Sequence, residues 1–178
     1  MNAKARPDIT IRALEKDDAP QWRVLRLEAL KSHPTAFAAS YEEALQHDLG
    51  TFAARIPEPD GPSVLFGAFH NGTLAGSAGV HVHPTLKQRH KAQLWGMYVA
   101  PSLRRHGVGA LLLRAATEHA RTRVAVLQLV VNLDNRAARA LYRRFGFEPY
   151  GIERRGLRVD GVDYDDELMA LDFADAAR

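Results

Sequence analysis

One stretch of the chain, residues 94–112, limits the fold more than any other. It reads LWGMYVAPSLRRHGVGALL: an apolar run up to the proline, a short basic loop, and a helix opened by Gly107 and Gly109. The first turn of a helix leaves its main-chain N–H groups without partners inside the helix, and together with the helix dipole these donors attract anions. The stretch therefore predicts a strand, an anion-binding loop and a helix, and a pyrophosphate would fit there.

The composition of this loop narrows the kind of anion site. Arg104 and Arg105 add positive charge, and an arginine offers phosphate oxygens a planar pair of donors. No Gly-Lys-Ser/Thr follows, so the loop is not a Walker phosphate loop. Leu112 stands where a dinucleotide-binding fingerprint would have its third glycine, which argues against a Rossmann site.

A second motif follows at residues 130–147, where VVN leads to NRAARALYRRFGF from Asn135 onward. Together, the RRHGVG loop of residues 104–109 and this segment resemble the two signatures of the GCN5-related N-acetyltransferase (GNAT) superfamily. The pair is far more specific than either part. The resemblance extends over about residues 9–173, and its specific part is residues 94–147.

The resemblance implies a fold, a cosubstrate and a set of contacts. The fourth and fifth strands should separate, and acetyl-coenzyme A (acetyl-CoA) should enter the cleft between them. The loop amides would hold its pyrophosphate, and the main chain of β-strand residues would pair with its pantetheine arm. The residues that the resemblance assigns to acetyl-CoA are Met97, Tyr98, Val99, Arg104, Arg105, His106, Gly107, Val108, Gly109, Ala110 and Asn135.

Tyr142 is the candidate catalytic acid, because a phenol with an ordinary pKa of about 10 is protonated at neutral pH and can protonate a departing thiolate. Asn135 lies seven residues earlier, so in a helix both side chains lie on one face about 10 Å apart along the axis. The alternative interpretation of Tyr142 is a core aromatic residue whose hydroxyl finds a chance partner. The motif favours the acid.

The general base and the acceptor site are left open by the sequence. Glu42, Glu43 and His81 are candidate substrate residues, and a water-relayed base is the default. His81 and His83 share one strand face, but a third ligand is not evident, so no metal is predicted. An acidic cluster at residues 160–167 could attract a cationic amine, although a hydrated hairpin is the simpler interpretation for most of it.

Hydrophobic periodicity and turn residues predict the order of elements. Asn71-Gly72 and Asp160-Gly161 are hairpin signals. We expect an α/β (α+β) protein of the GNAT type: a mixed, mostly antiparallel sheet of about six to seven strands with helices on both faces. The expected strands are residues 9–14, 63–70, 73–83, 91–99, 125–131, 151–159 and 162–173. The first expected helix is capped by Asp17 or Asp18 and ends at Pro34, and the later helices cover residues 41–56, 107–121 and 135–145.

The length and charge of the chain limit the number of domains and the kinds of partner. The 178 residues suit one domain, 1–178, with a core at about 9–173. The formal charge of +3 is concentrated near residues 104–106 and 136–144, which an anionic cosubstrate explains without nucleic acid. There is no cysteine, no apolar leader and no run of membrane-spanning length. We expect a cytoplasmic protein with no membrane partner, and a homodimer through an edge strand is one expected assembly.

The sequence therefore predicts an acetyl-CoA-dependent N-acetyltransferase that acts by direct attack of an amine on the bound thioester. Main-chain N–H groups near Tyr98 or Val99 would polarise the oxyanion. The expected acceptor is a primary amine of a small molecule. Two alternatives are a protein acetyltransferase acting on an N-terminus or a lysine, which would need an open groove for a peptide, and a non-catalytic acetyl-CoA sensor.

Overall fold

The computed structural model describes residues 8–173 and shows one seven-stranded sheet with helices on both faces. The strand order is β1-β2-β3-β4-β5-β7-β6, and each neighbouring pair is antiparallel except β4 with β5. The predicted fold class is confirmed. The strands are β1 (Thr10–Ala13), β2 (Val64–His70), β3 (Thr73–Val82), β4 (Lys91–Val99), β5 (Val126–Asn132), β6 (Glu148–Val159) and β7 (Val162–Asp172). The helices are α1 (Ala19–Ser32), α2 (Tyr41–Leu45), α3 (Leu49–Arg55), α4 (Val108–Arg121) and α5 (Arg136–Arg144).

Alternation along the strands divides the core between the two faces of the sheet. Val64 packs in the layer under α4, whereas the next residue, Leu65, packs in the layer under α1 and α3. Trp22 of α1 lies edge-on to Trp95 of β4, with ring centroids 6.2 Å apart. None of the helices within residues 8–173 is long and apolar enough to cross a membrane.

The segment predicted as one helix over residues 41–56 is two short helices, so that prediction is wrong in detail. Asp48 interrupts it: the backbone of Asp48 is extended, and its side chain accepts a hydrogen bond from the Thr51 N–H at 2.7 Å. An aspartate that caps a new helix competes with continuation of the old one. The helical segment on this face of the sheet is therefore interrupted between α2 and α3.

The helix after the basic loop, predicted over residues 107–121, begins at Val108. Its buried stripe differs from the one that the hydrophobic spacing predicts, which is Val108, Leu111, Leu112, Ala115 and His119. Leu111 is exposed and His119 is half-buried, so neither belongs to the buried face. The residues of α4 that are buried against the sheet are Val108, Leu112, Leu113, Ala116, Thr117 and Ala120. The helix therefore meets the sheet on a face rotated by about one residue from the predicted one.

Gly79 of β3 is required by the large side chain opposite it. It pairs with Trp95 of β4, and a Cβ atom at Gly79 would overlap the Trp95 indole. We expect Gly79→Ala to lower the free energy of unfolding by about 2 kcal/mol, because the indole must leave its rotamer. Urea unfolding followed by tryptophan fluorescence measures this. The matched control is Gly50→Ala in α3, where the new Cβ has its nearest neighbour at 3.5 Å and no loss is expected; equal losses for the two variants would contradict the steric explanation.

Candidate functional site

The site begins where two parallel strands separate. β4 and β5 pair only through Lys91–Val126, Ala92–Leu127 and Gln93–Gln128. Among residues 8–173, no strand pairs with the edge of β4 that faces β5 from Leu94 onward, and the same holds for the facing edge of β5 beyond Gln128. Unpaired main-chain donors and acceptors along a strand edge can pair with an extended ligand. The separation agrees with the cleft that the sequence resemblance implies.

A β-bulge lies in β4 beside this cleft. Ser77 pairs with Tyr98 and Gly79 pairs with Trp95, so β4 carries one more residue than β3 over this interval. Gly96 has φ of +63°, a left-handed conformation that favours glycine, and its carbonyl accepts a hydrogen bond from the Ser77 hydroxyl at 2.9 Å. After the bulge, Met97 packs in the layer under α4, whereas Tyr98 packs in the layer under α1 and α3.

The N-terminus of α4 lies at the end of β4, across a short 3₁₀ turn (Pro101–Leu103). Gly107, at φ +82°, precedes the helix and provides no side-chain cap. Within residues 8–173, the main-chain N–H groups of Val108, Gly109 and Ala110 have no acceptor, and the first that does is that of Leu111, which donates to Gly107 at 3.1 Å. These free donors lie where the sequence predicts an anion site.

The structure places the predicted basic residues in different surroundings. Arg104 Nε donates to the Val99 carbonyl at 3.0 Å, and Arg104 Nη2 lies 2.8 Å from His33 Nε2. Burial, and then the charge of Arg104, lower the pKa of His33. Arg105, at φ +65°, and His106 are exposed. Arg104 thus bridges the end of β4 to the end of α1 in this structure. The exposed side chains of Arg105 and His106 lie next to the free main-chain N–H groups at the start of α4.

Tyr142 and Asn135 are both on the side of the cleft formed by β5 and α5. The Tyr142 ring is buried at 7% exposure and lies edge-on to Phe147, with centroids 5.8 Å apart. Burial raises the pKa of Tyr142 to about 12. Its hydroxyl has no hydrogen-bond partner within residues 8–173. Asn135 caps α5 by accepting from the Ala138 N–H at 3.2 Å, so its amide group remains available to donate.

The candidate substrate residues are not brought together. Glu42 and Glu43 lie in α2 and are exposed, and Glu43 forms a capping box with Ser40. His81 is exposed and lines a cavity of about 270 Å³ together with Trp95 on the α1 face of the sheet. Among these three residues, only His81 lies on a strand that borders β4.

The acidic cluster at residues 160–167 is divided by the alternation of β7. Glu167 is buried under α5, where it accepts hydrogen bonds from Arg139 and Arg143. Asp166 is buried on the other face, opposite Asn132 of β5. Sequence reasoning missed Asn132 and these separate roles of Asp166 and Glu167; the strict alternation of faces along a strand is the signal that separates them.

The chain is similar in sequence to known bacterial acetyltransferases. A mycobacterial protein, "N-alpha-acetyltransferase RimI" of Mycobacterium tuberculosis, is 40% identical over 98 residues, which is 54% of this chain and 60% of the relative. A Bacillus subtilis protein, "Putative [ribosomal protein bS18]-alanine N-acetyltransferase", is 31% identical over 94 residues, 52% of this chain and 59% of the relative. The chain therefore spans about 60% of the length of these two curated relatives.

Solved structures agree over nearly the whole chain. The ribosomal-protein-S18-alanine N-acetyltransferase from Escherichia coli matches with a TM-score of 0.71 and 28% identity, covering 93% of this chain and 94% of that one. A GNAT-family acetyltransferase from Streptococcus pneumoniae matches with a TM-score of 0.80 and 24% identity, covering 92% and 98% of the two chains, and supports the fold. The model of the acetyltransferase (GNAT) family matches residues 16–147. On these grounds the chain belongs to the GNAT acetyltransferase family.

Proposed function

We propose that this protein transfers the acetyl group of acetyl-CoA to the α-amino group at the N-terminus of a protein. The observation that carries the proposal is the cleft between β4 and β5, which runs to the free amides of α4. Relatives named as an N-alpha-acetyltransferase or as ribosomal-protein-alanine N-acetyltransferases favour this acceptor over the small-molecule amine expected from sequence.

The cosubstrate site uses main-chain groups more than side chains. The amides of Val108, Gly109 and Ala110 are free to bind a pyrophosphate. The edge of β4 that has separated from β5 can pair with a pantetheine arm, once Arg104 Nε releases the Val99 carbonyl that it now binds. Asn135 can donate its amide hydrogens to the same arm. Arg105 and His106 add positive or titratable groups where the phosphates would enter.

The chemistry is acyl transfer by direct attack. The neutral amine attacks the thioester carbonyl carbon, the C–N bond forms, and the C–S bond breaks. Main-chain N–H groups near Tyr98 or Val99 stabilise the oxyanion. Tyr142 gives its phenolic proton to the departing thiolate, and its burial against Phe147 fixes the ring. The proton that the amine loses goes to a base on the acceptor side of the sheet.

The acceptor side has room for a peptide. α2 and α3 pack against α1 over the first half of the sheet. Across β5 and β6, a short 3₁₀ turn (Pro34–Ala36) lies near the strands, but Val130 is 47% exposed and Tyr150 is 55% exposed. An open, partly apolar strip beside the cleft suits an extended chain better than a closed pocket does.

The experiment that tests the function measures release of the coenzyme A thiol with a thiol-reactive dye. The chain has no cysteine, so the enzyme adds no thiol background. The acceptors are a peptide with a free N-terminal alanine and one internal lysine, the same peptide with a blocked N-terminus, and spermidine. We expect turnover with the free peptide alone, with mass spectrometry placing the acetyl group on the α-amine. Turnover with spermidine alone would favour the small-molecule acceptor, and acetylation at the lysine would reject the N-terminal assignment.

A second experiment addresses the predicted role of Arg104 in binding acetyl-CoA. If this guanidinium releases His33 and reaches a phosphate, Arg104→Ala should weaken acetyl-CoA binding about fivefold at low salt, and by less as salt rises. Calorimetric titration at two salt concentrations measures this. Arg123→Ala, at the far end of α4, is the matched control. An unchanged dissociation constant would leave Arg104 with the bridging role that the structure shows.

A further inference from the structure

A row of three polar side chains crosses the sheet at the end of β5. The register pairs Asn132 of β5 with Asp166 of β7, and Asp166 with Glu153 of β6. Residues paired directly across strands share one face. The next row along, which contains Val131 and Glu167, faces the layer under α4 and α5. The row of Asn132, Asp166 and Glu153 therefore lies on the opposite face, the acceptor side.

Two members of this row are buried and have unmet hydrogen-bonding capacity. Asn132 is 6% exposed; its Oδ1 accepts from the Asp134 N–H at 2.9 Å, but its Nδ2 is sealed from solvent and has no partner. Asp166 is 5% exposed, and its carboxylate has no hydrogen bond or ion pair with any residue in the described range 8–173. Buried polar groups are nearly always paired, so the lack of a partner at Asn132 Nδ2 is unusual. The Asp166 oxygens are not sealed from solvent, so a ligand can reach them.

Charge around Asp166 points to a cationic partner. Glu153 lies directly opposite it, and two carboxylates in that relation repel each other. Three other acids of β7 each have an arginine: Asp163 pairs with Arg158, Asp165 with Arg154, and Glu167 with Arg139. Burial, and then the charges of Glu153 and Asp165, raise the pKa of Asp166. A bound ammonium group would relieve this repulsion.

The backbone of β6 makes room for the Asp166 carboxylate. The register of β6 slips between Glu153 and Leu157, and this bulge contains Gly156. A Cβ atom at Gly156 would lie 2.6 Å from Asp166 Oδ2 and 3.1 Å from its Cγ. Any side chain at this position would therefore displace the carboxylate from the row.

The row borders the cleft. Asn132 is the last residue of β5, in the part of the strand that has separated from β4. A peptide N-terminus presents an ammonium donor and, two bonds further along the chain, a carbonyl acceptor. An unpartnered carboxylate beside an unpartnered amide donor is the complement of that pair of groups, whereas a lysine side chain or a polyamine offers the ammonium alone.

We propose that Asp166 and Asn132 bind the first residue of the acceptor, with the Asp166 carboxylate accepting from its ammonium group and Asn132 Nδ2 donating to its first carbonyl. The inference rests on the proposed function and names its acceptor subsite. Asp166 first takes one proton from the bound ammonium, which leaves a neutral amine. The amine attacks the thioester carbonyl carbon, the C–N bond forms and the C–S bond breaks. The thiolate takes its proton from Tyr142, and the second N–H proton of the acetylated nitrogen returns to the Tyr142 phenolate. Asp166 thereby supplies the base that the sequence left open.

The test uses calorimetric binding of a lysine-free pentapeptide with N-terminal alanine to the full chain saturated with coenzyme A. A second ligand is the same peptide with hydrogen in place of the amine. We expect Asp166→Asn to weaken binding of the first ligand about tenfold and to leave the second unchanged. Asn132→Ala should weaken both ligands about threefold. Asp160→Asn, the same change in the exposed hairpin turn, is the control and should alter neither.

Gly156→Ala is a second variant, for the case that Asp166→Asn does not fold. The new methyl group displaces the Asp166 carboxylate without removing it. This variant should reproduce the selective loss for the peptide that carries the amine. Two results together would overturn the subsite and leave the proposed function intact. The wild-type enzyme would acetylate the alanine peptide, and Asp166→Asn and Gly156→Ala would bind that peptide as tightly as wild type does. Wild-type enzyme that acetylates spermidine and not the peptide would overturn the proposed function, and the subsite with it.

Discussion

Tyr142→Phe is expected to lower kcat about 100-fold while the dissociation constant of acetyl-CoA stays within about twofold of wild type. The substitution removes one oxygen from a ring that is packed against Phe147 and 7% exposed, so the helix and the cleft keep their shape. Under the proposed mechanism, it also removes the phenolic proton that Tyr142 gives to the thiolate. Single-turnover release of coenzyme A isolates the chemical step, and calorimetry measures the affinity.

Tyr164→Phe is the matched control, since Tyr164 lies in β7 beyond the cleft and its loss should leave kcat unchanged. The pKa of Tyr142 adds a second criterion. Because burial raises that pKa to about 12, the phenol stays protonated throughout the range from pH 6 to 9. Any alkaline fall in kcat within this range therefore belongs to another group and should persist in Tyr142→Phe. A variant that keeps wild-type kcat would reject the assignment.

Much of the fold could be predicted because its turns are local. Asn71-Gly72 and Asp160-Gly161 have φ of +49°, +76°, +50° and +78°, so all four residues adopt the left-handed conformation of the tight hairpin turns that these dipeptides favour. The helix spacing that places Asn135 and Tyr142 on one face is equally local. The glycine-opened helix α4 depends only on its own first turn. Each of these features is determined within a few residues.

The parts that could not be predicted depend on partners far along the chain. The bulge at Gly96 exists because Ser77 and Gly79, about 17 to 19 residues earlier, fix the register of β4 on both sides of it. The separation of β4 from β5 is likewise a property of two strands and not of either sequence. For Asp166, periodicity gives the face, but only the register shows that Asn132 and Glu153 flank it.

Glu167→Ala is expected to lower the free energy of unfolding by about 3 kcal/mol, the largest stability loss that we predict for one substitution. The side chain of Glu167 is 6% exposed and accepts from Arg139 Nε and Nη2, both at 2.9 Å, and from Arg143 Nη2 at 3.0 Å. Its removal leaves the Arg139 guanidinium, 21% exposed, without its carboxylate. The half-exposed Arg143 can turn to solvent, which keeps the expected loss at the lower end of the range for broken buried pairs.

Urea unfolding of Glu167→Ala is compared with that of Asp163→Ala, which removes a carboxylate paired with arginines on the exposed part of the same strand. The comparison separates the effect of breaking a buried ion pair from the effect of losing one negative charge. The hydrogen bond from Arg139 holds the pKa of Glu167 below its ordinary value of 4.5. A depressed pKa in the folded state means that this stabilisation is present above pH 4.5 and is lost as the pH falls below it toward the depressed value. The difference in free energy of unfolding between wild type and Glu167→Ala should therefore be constant from pH 8 to about 5 and shrink below 4.5. A difference that grows on acidification, or equal losses of stability for Glu167→Ala and Asp163→Ala, would contradict the ion pair as its source.

Since Arg139 and Arg143 flank Tyr142 on α5, Glu167→Ala should also lose part of its kcat, whereas Asp163→Ala should not.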